Sequence, residues 1–319
     1  MADAPKSSGA TIFRSRRRRP DGRRFHIVAF GRQHRSGRPG KRLTLSDDAT
    51  RSKHVFSGFS LAGRRALITG ASRGIAAAIA EILAEHGADV ALNHSADFDA
   101  RMGVPDAGPD LARRLRAFGG NAICVERDLA EAGSVAGIVA DAEDRLGSLD
   151  IVVSAVAMQD AVSLDQITPE MIARHMELNL TRTIEIAQAT VPAMASRGWG
   201  RFLAIGSVHG HRPGPRLPVY AASKAALSNF MMYLASQVVA DGVTVNTISP
   251  GLIATDRNRF RRENSDDWAA LQARVVPMGY AGTPDDIKGA ALLMCSDAGR
   301  YITGTDLLID GGMLLRPPD

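Results

Sequence analysis

Residues 65–76 read Arg-Ala-Leu-Ile-Thr-Gly-Ala-Ser-Arg-Gly-Ile-Ala. The apolar run Arg65 to Thr69 fits a short buried strand. Gly70 and Gly74 punctuate a turn, and an Ala-rich amphipathic stretch then continues from Gly74 to His86, where Gly87 closes it. Glycines in a strand-to-helix turn let backbone amides approach a pyrophosphate, and the helix that follows turns its positive end toward the same charge. Any tight turn needs glycine for a positive φ, so the composition of the turn alone says little. Its place at the first connection of a strand–helix–strand series is what makes it a candidate phosphate cradle.

That series runs on from Ser60. Strands are expected at Asp89 to Asn93, Ala122 to Arg127, Ile151 to Ala155, Arg201 to Ile205, Thr244 to Ile248 and Asp306 to Ile309. Helices are expected at Leu111 to Phe118, Ser134 to Leu146, Pro169 to Ser196, Val219 to Ala240 and Pro284 to Ser296. Strict alternation of short apolar strands with longer amphipathic helices predicts an α/β fold: a single doubly wound parallel sheet, a Rossmann fold with helices on both faces. The stretch Ser95 to Asp110, rich in Asp, Gly and Pro, reads as an irregular loop. No long repeat and no internal linker suggests a second domain, so the chain divides into residues 1–57 and a domain of residues 58–319.

The formal charge of +5 hides an asymmetry. Residues 1–57 hold twelve arginines and three lysines against four aspartates, a net +11, which leaves −6 for the remaining 262 residues. This basic segment has hardly any periodic apolar pattern and reads as a disordered extension. An anchor to nucleic acid or another acidic surface, an Arg-rich presequence, and sequence upstream of the true start with Val55 as initiator all stay open for it. Without interleaved aromatics, nucleic acid is not the expected partner. No uncharged apolar run reaches the eighteen or so residues of a membrane span. Cys124 and Cys295, far apart within apolar runs, suggest free thiols in a reducing, cytoplasmic setting rather than a disulfide framework.

Downstream, Tyr220-Ala-Ala-Ser-Lys224 opens a helix, so Tyr220 and Lys224 share one face. Ser207 follows an apolar strand thirteen residues before Tyr220. A phenol titrating near pH 10 must be stabilised as its anion by about 4 kcal/mol to exchange protons at neutral pH. One ammonium at about 4 Å, at an effective dielectric near 20, supplies roughly that much. The bland alternative is a half-buried tyrosine beside a snorkelling lysine.

Taken together these residues resemble the short-chain dehydrogenase/reductase family over about residues 58 to 315. The turn at Thr69 resembles the family's Thr-Gly-x-x-x-Gly-x-Gly, and Tyr220 to Lys224 its Tyr-x-x-x-Lys. Ser207 resembles its catalytic serine, and Asn179 in Glu177-Leu-Asn-Leu180 the asparagine of its catalytic helix. Asp128-Leu129 is similar to the adenine-contacting acidic position, and Pro250-Gly-Leu-Ile-Ala-Thr255 to the loop on the nicotinamide side. Asp310-Gly-Gly312 matches the C-terminal signature, and residues 277–284 the segment before the last long helix. The resemblance implies catalytic roles for Asn179, Ser207, Tyr220 and Lys224. It implies cofactor contacts from Gly70, Ser72, Arg73, Gly74, Ile75, His94, Asp128, Leu129, Ala155, Pro250, Gly251, Ile253 and Thr255, with Tyr220 and Lys224 also touching the cofactor. Tyr220 would move the proton, Ser207 hold the substrate oxygen, Lys224 lower the Tyr220 pKa and bind ribose, and Asn179 seat a water linking Lys224 to solvent.

Two departures stand out. Ala76 replaces the third glycine, which helix-to-strand packing tolerates. Val153-Ser-Ala-Val-Ala157 replaces a strand end that in the family reads Asn-Asn-Ala-Gly, so Ala157 is expected to crowd the ribose and Ser154 to restore part of the hydrogen bonding.

At the end of the second strand, Leu92-Asn-His-Ser95 lacks the carboxylate that would bind a ribose 2′-hydroxyl and repel a 2′-phosphate. Arg73, with His94 or Ser95, suits a phosphate there. NADP(H) is therefore favoured, with NAD(H) the alternative should Asp97 or Asp99 fold back. His209 and His211 form an H-x-H pair with no evident third ligand, and no metal is expected. The implied activity is hydride exchange between a carbonyl and a secondary alcohol on a small molecule, similar to the 3-oxoacyl carrier-protein reductases and sugar dehydrogenases of the family. A homotetramer is implied as well. A dinucleotide-binding regulatory protein with little turnover is the alternative, which the altered strand end and the basic segment would accommodate. Asp256 to Met278 is expected to cover the substrate pocket, and carries no motif that names the substrate.

Overall fold

The structure is a computed structural model that describes residues 13–18, 24–29 and 57–315. Two strands, β1 (Phe13–Arg18) and β2 (Arg24–Ala29), pair antiparallel from Phe13 opposite Ala29 to Arg18 opposite Arg24. Composition does not announce this pairing. The rest of the expected disordered extension lies outside the described residues.

The second unit follows the predicted alternation. Its strands are β3 (Arg65–Thr69), β4 (Asp89–His94), β5 (Ala122–Glu126), β6 (Ile151–Ser154), β7 (Gly200–Ile205), β8 (Val243–Pro250) and β9 (Asp306–Ile309). They form one sheet in the order β5-β4-β3-β6-β7-β8-β9, every pair parallel. The connecting helices are α1 (Gly74–Glu85), α2 (Ala96–Arg101), α3 (Ala107–Arg116), α4 (Ser134–Leu146), α5 (Pro169–Met176) and α6 (Arg182–Ser196). They continue as α7 (Val208–His211), α8 (Pro218–Val238), α9 (Ser265–Val275) and α10 (Asp285–Cys295).

Alternation along the strands builds two cores. Ala66 and Ile68 of β3, with Ile151 and Val153 of β6, face α1, α3 and α10. Leu67 and Val152, one residue out of phase, face α4, α6 and α8. Both faces are buried, which is why these strands read as unbroken apolar runs. Chain order reverses between β3 and β6, so the crossovers part there and leave a crevice at the carboxyl ends of the strands, the usual ligand position in open α/β sheets.

Two stretches differ from the sequence expectation, and a third gains elements that it did not specify. Residues 95–110 are not an irregular loop: Ser95 caps α2 by accepting a hydrogen bond from the Phe98 amide (3.3 Å), and α3 starts at Ala107. The expected single helix from Pro169 to Ser196 is interrupted by a π-turn at Glu177–Thr181 that carries Asn179. The segment expected to cover the pocket contains a 3-10 turn at Asp256–Arg262 and then α9.

At the opposite, amino end of the central strands, buried Asp150 accepts hydrogen bonds from the Arg65 amide (3.1 Å) and Arg65 Nε (3.2 Å) and lies 3.8 Å from Arg197 Nη2. It joins the starts of β3 and β6 far from the crevice. Asp150→Ala is expected to lower the free energy of unfolding by about 1–3 kcal/mol, since it strands a backbone donor and two cations. Urea unfolding measures the loss, and ligand binding by the folded variant should be unchanged.

Candidate active site at the parting of the sheet

The turn after β3 has the conformation only glycine takes readily, with φ +64° at Gly70 and +61° at Gly74. Space is as restrictive as conformation, because a Cβ on Gly70 would lie 2.8 Å from Val156 Cγ2. Thr69 Oγ1 accepts a hydrogen bond from the Ala155 amide at 3.0 Å and ties the turn to the end of β6. Ser154, where the family has asparagine, shares a buried hydrogen bond with Thr183 Oγ1 (2.8 Å). Ile75 opens α1 and packs against the core on that face of the sheet.

On the side where an adenosine would lie, Arg73 stacks on Phe98, its Cζ 4.9 Å from the ring centroid, and its Nη1 is buried without a hydrogen-bond partner. Asp99 does fold back, as α2 carries it toward the turn. Its two oxygens are taken, one by Ser72 Oγ (2.8 Å) and the other by His94 Nδ1 (3.0 Å), and it is 1% exposed. His94 is buried in the same pairing, with its Nε2 against Gly108, so the structure brings it to Asp99 rather than presenting it to the crevice. Asp97 is exposed. Ser95 Oγ donates to Asp128 Oδ2 (3.3 Å), while Leu129 is buried and its carbonyl accepts from Arg182 Nε (2.9 Å).

Ser207, Tyr220, Lys224 and Asn179 are all buried beside the ends of β6 and β7. Burial pushes the Tyr220 phenol up, while a hydrogen bond with Ser207 and the charge of Arg257 oppose the shift. Lys224 Nζ donates to the Ile205 carbonyl at 2.7 Å and lies 6.0 Å from the centre of the Tyr220 ring. Burial, and then Arg257, lowers the ammonium to about 7. The π-turn aims Asn179 at the strand-end loop instead of at Lys224: Oδ1 accepts from the Met158 amide (2.8 Å), and Nδ2 donates to the Met158 carbonyl (3.0 Å) and to Ser223 Oγ (2.9 Å). Such π-turns often mark functional positions.

Two residues that the motifs did not single out belong to the same wall. His175, fully buried on α5, accepts from the Asp160 amide (3.3 Å) and so holds the same loop as Asn179. Arg257 reaches across from the covering segment and donates to the Ala157 carbonyl (2.5 Å). His209 meets Tyr220 edge-on with ring centroids 6.4 Å apart, and burial lowers its pKa. His211 pairs with Asp306 (3.0 Å), and among the described residues no three His, Cys, Asp or Glu side chains gather to hold a metal ion.

The loop from Pro250 to Thr255 closes the crevice. Gly251 packs on Asp310, where a Cβ would meet Asp310 Cα at 2.7 Å. Ile253 bridges to Gly282, and the Ala254 amide donates to the Gly282 carbonyl (2.8 Å). Thr255 Cγ2 lies 3.8 Å from where a Cβ on Gly74 would stand, so this loop and the first turn face each other. Asp310 accepts from the Gly312 and Leu314 amides, both at 2.9 Å.

A family model described as Enoyl-(Acyl carrier protein) reductase matches residues 70–314. The L-rhamnose 1-dehydrogenase (NAD(P)(+)) of Azotobacter vinelandii is 33% identical over 256 residues, 80% of this chain and 98% of that protein. A crystal structure of a 3-oxoacyl (acyl-carrier-protein) reductase from Agrobacterium tumefaciens with NADP bound superposes with a TM-score of 0.76 at 35% identity, covering 82% of this chain and 99% of that one. A gluconate 5-dehydrogenase from Burkholderia cenocepacia in complex with NADP and tartrate gives 0.74 at 31% identity, with coverage of 82% and 99%. The fold, the site and these likenesses define a Rossmann-fold oxidoreductase class. The chain belongs to the short-chain dehydrogenase/reductase family.

The low proton affinity of Lys224 makes stability depend on pH. Its value is about 7 in the folded protein against 10.5 for an ordinary lysine, so above pH 7 the unfolded chain holds a proton there that the folded chain lacks. Stability therefore rises with pH from 7. Near pH 9 the trend is opposed, because buried Cys295, pushed up to about 12, then ionises only in the unfolded chain. Denaturant unfolding at pH 7 and pH 9 is expected to show a gain on the order of 2 kcal/mol in the parent protein that is absent in Lys224→Met.

Proposed function

We propose that this protein is an NADP(H)-dependent oxidoreductase that interconverts a carbonyl and a secondary alcohol of a small molecule, with Tyr220 as the general acid and base. The observation that carries the reading is the burial of Ser207, Tyr220 and Lys224 together at the carboxyl end of β7, where Lys224 Nζ holds the Ile205 carbonyl (2.7 Å), two strands from the glycine turn at the parting of the sheet.

The residues fit a dinucleotide. Gly70 and Gly74 make a cradle that a side chain on Gly70 would fill, and the Arg73 guanidinium keeps an orphaned buried nitrogen. Arg73 would meet a 2′-phosphate and Asp128 the adenine, with the Pro250 to Thr255 loop on the nicotinamide side. Both Asp99 oxygens are engaged within the protein, which argues against that carboxylate serving a ribose 2′-hydroxyl and so favours NADP(H) over NAD(H). When bound, the nicotinamide supplies or accepts the hydride.

During reduction Ser207 holds the carbonyl oxygen and Tyr220 donates its proton to that oxygen, leaving a phenolate. The charge of Arg257 favours the phenolate. Lys224, titrating near neutrality, returns the proton; oxidation runs the same steps backward. Asn179 and His175 hold the loop after β6 in place. The regulatory alternative has no feature of the site in its favour, since Ser154, Asn179 and Arg257 together secure the altered strand end.

The apolar face of α6 and α8 around Val191, Phe230, Tyr233 and Leu234 suits a homotetramer. Two free cysteines suit a cytoplasmic setting. Among the described residues no helix is long and apolar enough to cross a membrane.

Tyr220→Phe is expected to lower kcat by at least a hundredfold, about the scale of a lost general acid, with NADPH binding unchanged. Steady-state assays on a carbonyl panel with NADPH fluorescence titration check both, and retention of most activity would overturn the assignment. Arg73→Ala is expected to weaken NADPH about tenfold or more and NADH less than about twofold. Equal losses for the two cofactors would place Arg73 on the adenine instead.

A further inference from the structure

We infer that the substrate carries an oxyanion, a carboxylate or a phosphate, which Arg257 binds beside the reacting carbon with Arg261 in support. The inference rests on the oxidoreductase reading above and specifies its substrate.

The covering turn reads Asp256-Arg-Asn-Arg-Phe-Arg-Arg262, four arginines to one aspartate. It is fixed rather than draped over the site: Asn258 Oδ1 accepts from the Thr255 amide (3.1 Å), and its Nδ2 donates to the Ile253 carbonyl (2.8 Å). Arg262 donates to the Thr255 carbonyl (3.0 Å) on the same turn. Arg257 spans the mouth of the crevice, from this turn to the Ala157 carbonyl on the opposite loop. Among the described residues no carboxylate comes within ion-pair distance of Arg257, Arg259, Arg261 or Arg262.

The charges reach the reacting groups. Arg257 lowers the proton affinity of both Tyr220 and Lys224, and the charge of Arg261 does the same to His209, which lies against Tyr220. The groups on this wall, Ser207, His209, Tyr220 and Lys224, include no acid. The four guanidiniums are exposed at the rim of the crevice, where like cations repel one another and attract an anion, and guanidinium forks pair with planar oxyanions in two parallel hydrogen bonds. An uncharged sugar or ketone would leave that potential unused. The phosphates of a dinucleotide belong at the glycine turn, and Arg257 reaches past that turn to the loop after β6, which Asn179 ties to Ser223 beside Lys224.

Calorimetry on NADPH-saturated protein tests this, with tartrate and glycerol 3-phosphate as probes and erythritol as the uncharged control. At least one anion should bind tenfold or more tighter than erythritol, and which one binds tells carboxylate from phosphate. Arg257→Gln should weaken that anion at least tenfold and leave NADPH affinity within twofold. Arg257→Lys should recover part of the loss, and Arg261→Gln should cost less. The inference is overturned if neither anion binds better than erythritol, or if binding survives Arg257→Gln and depends on Arg259 or Arg262. It is also overturned if Arg257→Gln weakens NADPH as much as the anion, since Arg257 would then serve the cofactor. Failure of the parent protein to bind or oxidise NADPH on the carbonyl panel is a separate result, and overturns the oxidoreductase reading with this inference.

Discussion

The parting of the sheet between β3 and β6 is the constraint on which the site depends. Crossovers leave β3 for one flank and β6 for the other, so the carboxyl ends of the two central strands are left uncovered. Strands that part must still be held in register, and the Thr69 hydroxyl does this by accepting the Ala155 amide across the gap. The tightness of the junction then fixes the residue types. A side chain at position 70 would meet Val156, and the positive φ there disfavours anything but glycine. The turn is held to β4 as well, by the Ala71 amide donating to the Asn93 carbonyl (2.9 Å), while Ser207 and Tyr220 reach the crevice from β7 and α8 on the other side.

Burial governs the chemistry of the groups that meet there. Tyr220 and Lys224 are both removed from water, and removal from water disfavours the charged form of each: the phenol moves up and the ammonium down. Their proton affinities, close together in water at 10.0 and 10.5, are thus drawn apart, so that a protonated amine readily returns its proton to a phenolate. The expected lowering of the phenol by Lys224 is not what the geometry displays, as the Nζ proton is directed to the Ile205 carbonyl and the opposing influences on Tyr220 come from Ser207 and Arg257. The cation that favours a phenolate here comes from the covering turn.

What was legible in the sequence was local. The strands and helices are each marked by a pattern within the element itself, the glycine turn and the Tyr220–Lys224 spacing are each contained within a dozen residues, and each lies where expected. The pairings that refine the site are distant in sequence: Asn179 with Met158, Asp99 with Ser72, Arg257 with Ala157. Nothing in the composition around Arg257 distinguishes an arginine that crosses a crevice from one in solvent. The π-turn at Asn179 was hidden because its residues keep helical periodicity while the ladder slips by one. Residues 95–110 read as loop from their Asp, Gly and Pro content, yet a Ser95 cap and the burial of Asp99 suffice to wind a short helix.

The altered strand end and the cationic cover are two halves of one arrangement. Where the family carries Asn-Asn-Ala-Gly, this chain has lost amide side chains that would brace the loop after β6 from within the sheet. Ser154 recovers one contact through Thr183, and Asn179 and His175 clamp Met158 and Asp160 from the helix side. That leaves Ala157, whose carbonyl is met from above by Arg257. The guanidinium thus braces the loop and also carries its charge to Tyr220 and Lys224. An anion engaging Arg257 would therefore sit between the covering turn and the loop after β6, with the charge of Arg257 acting on it and on Tyr220 and Lys224 together.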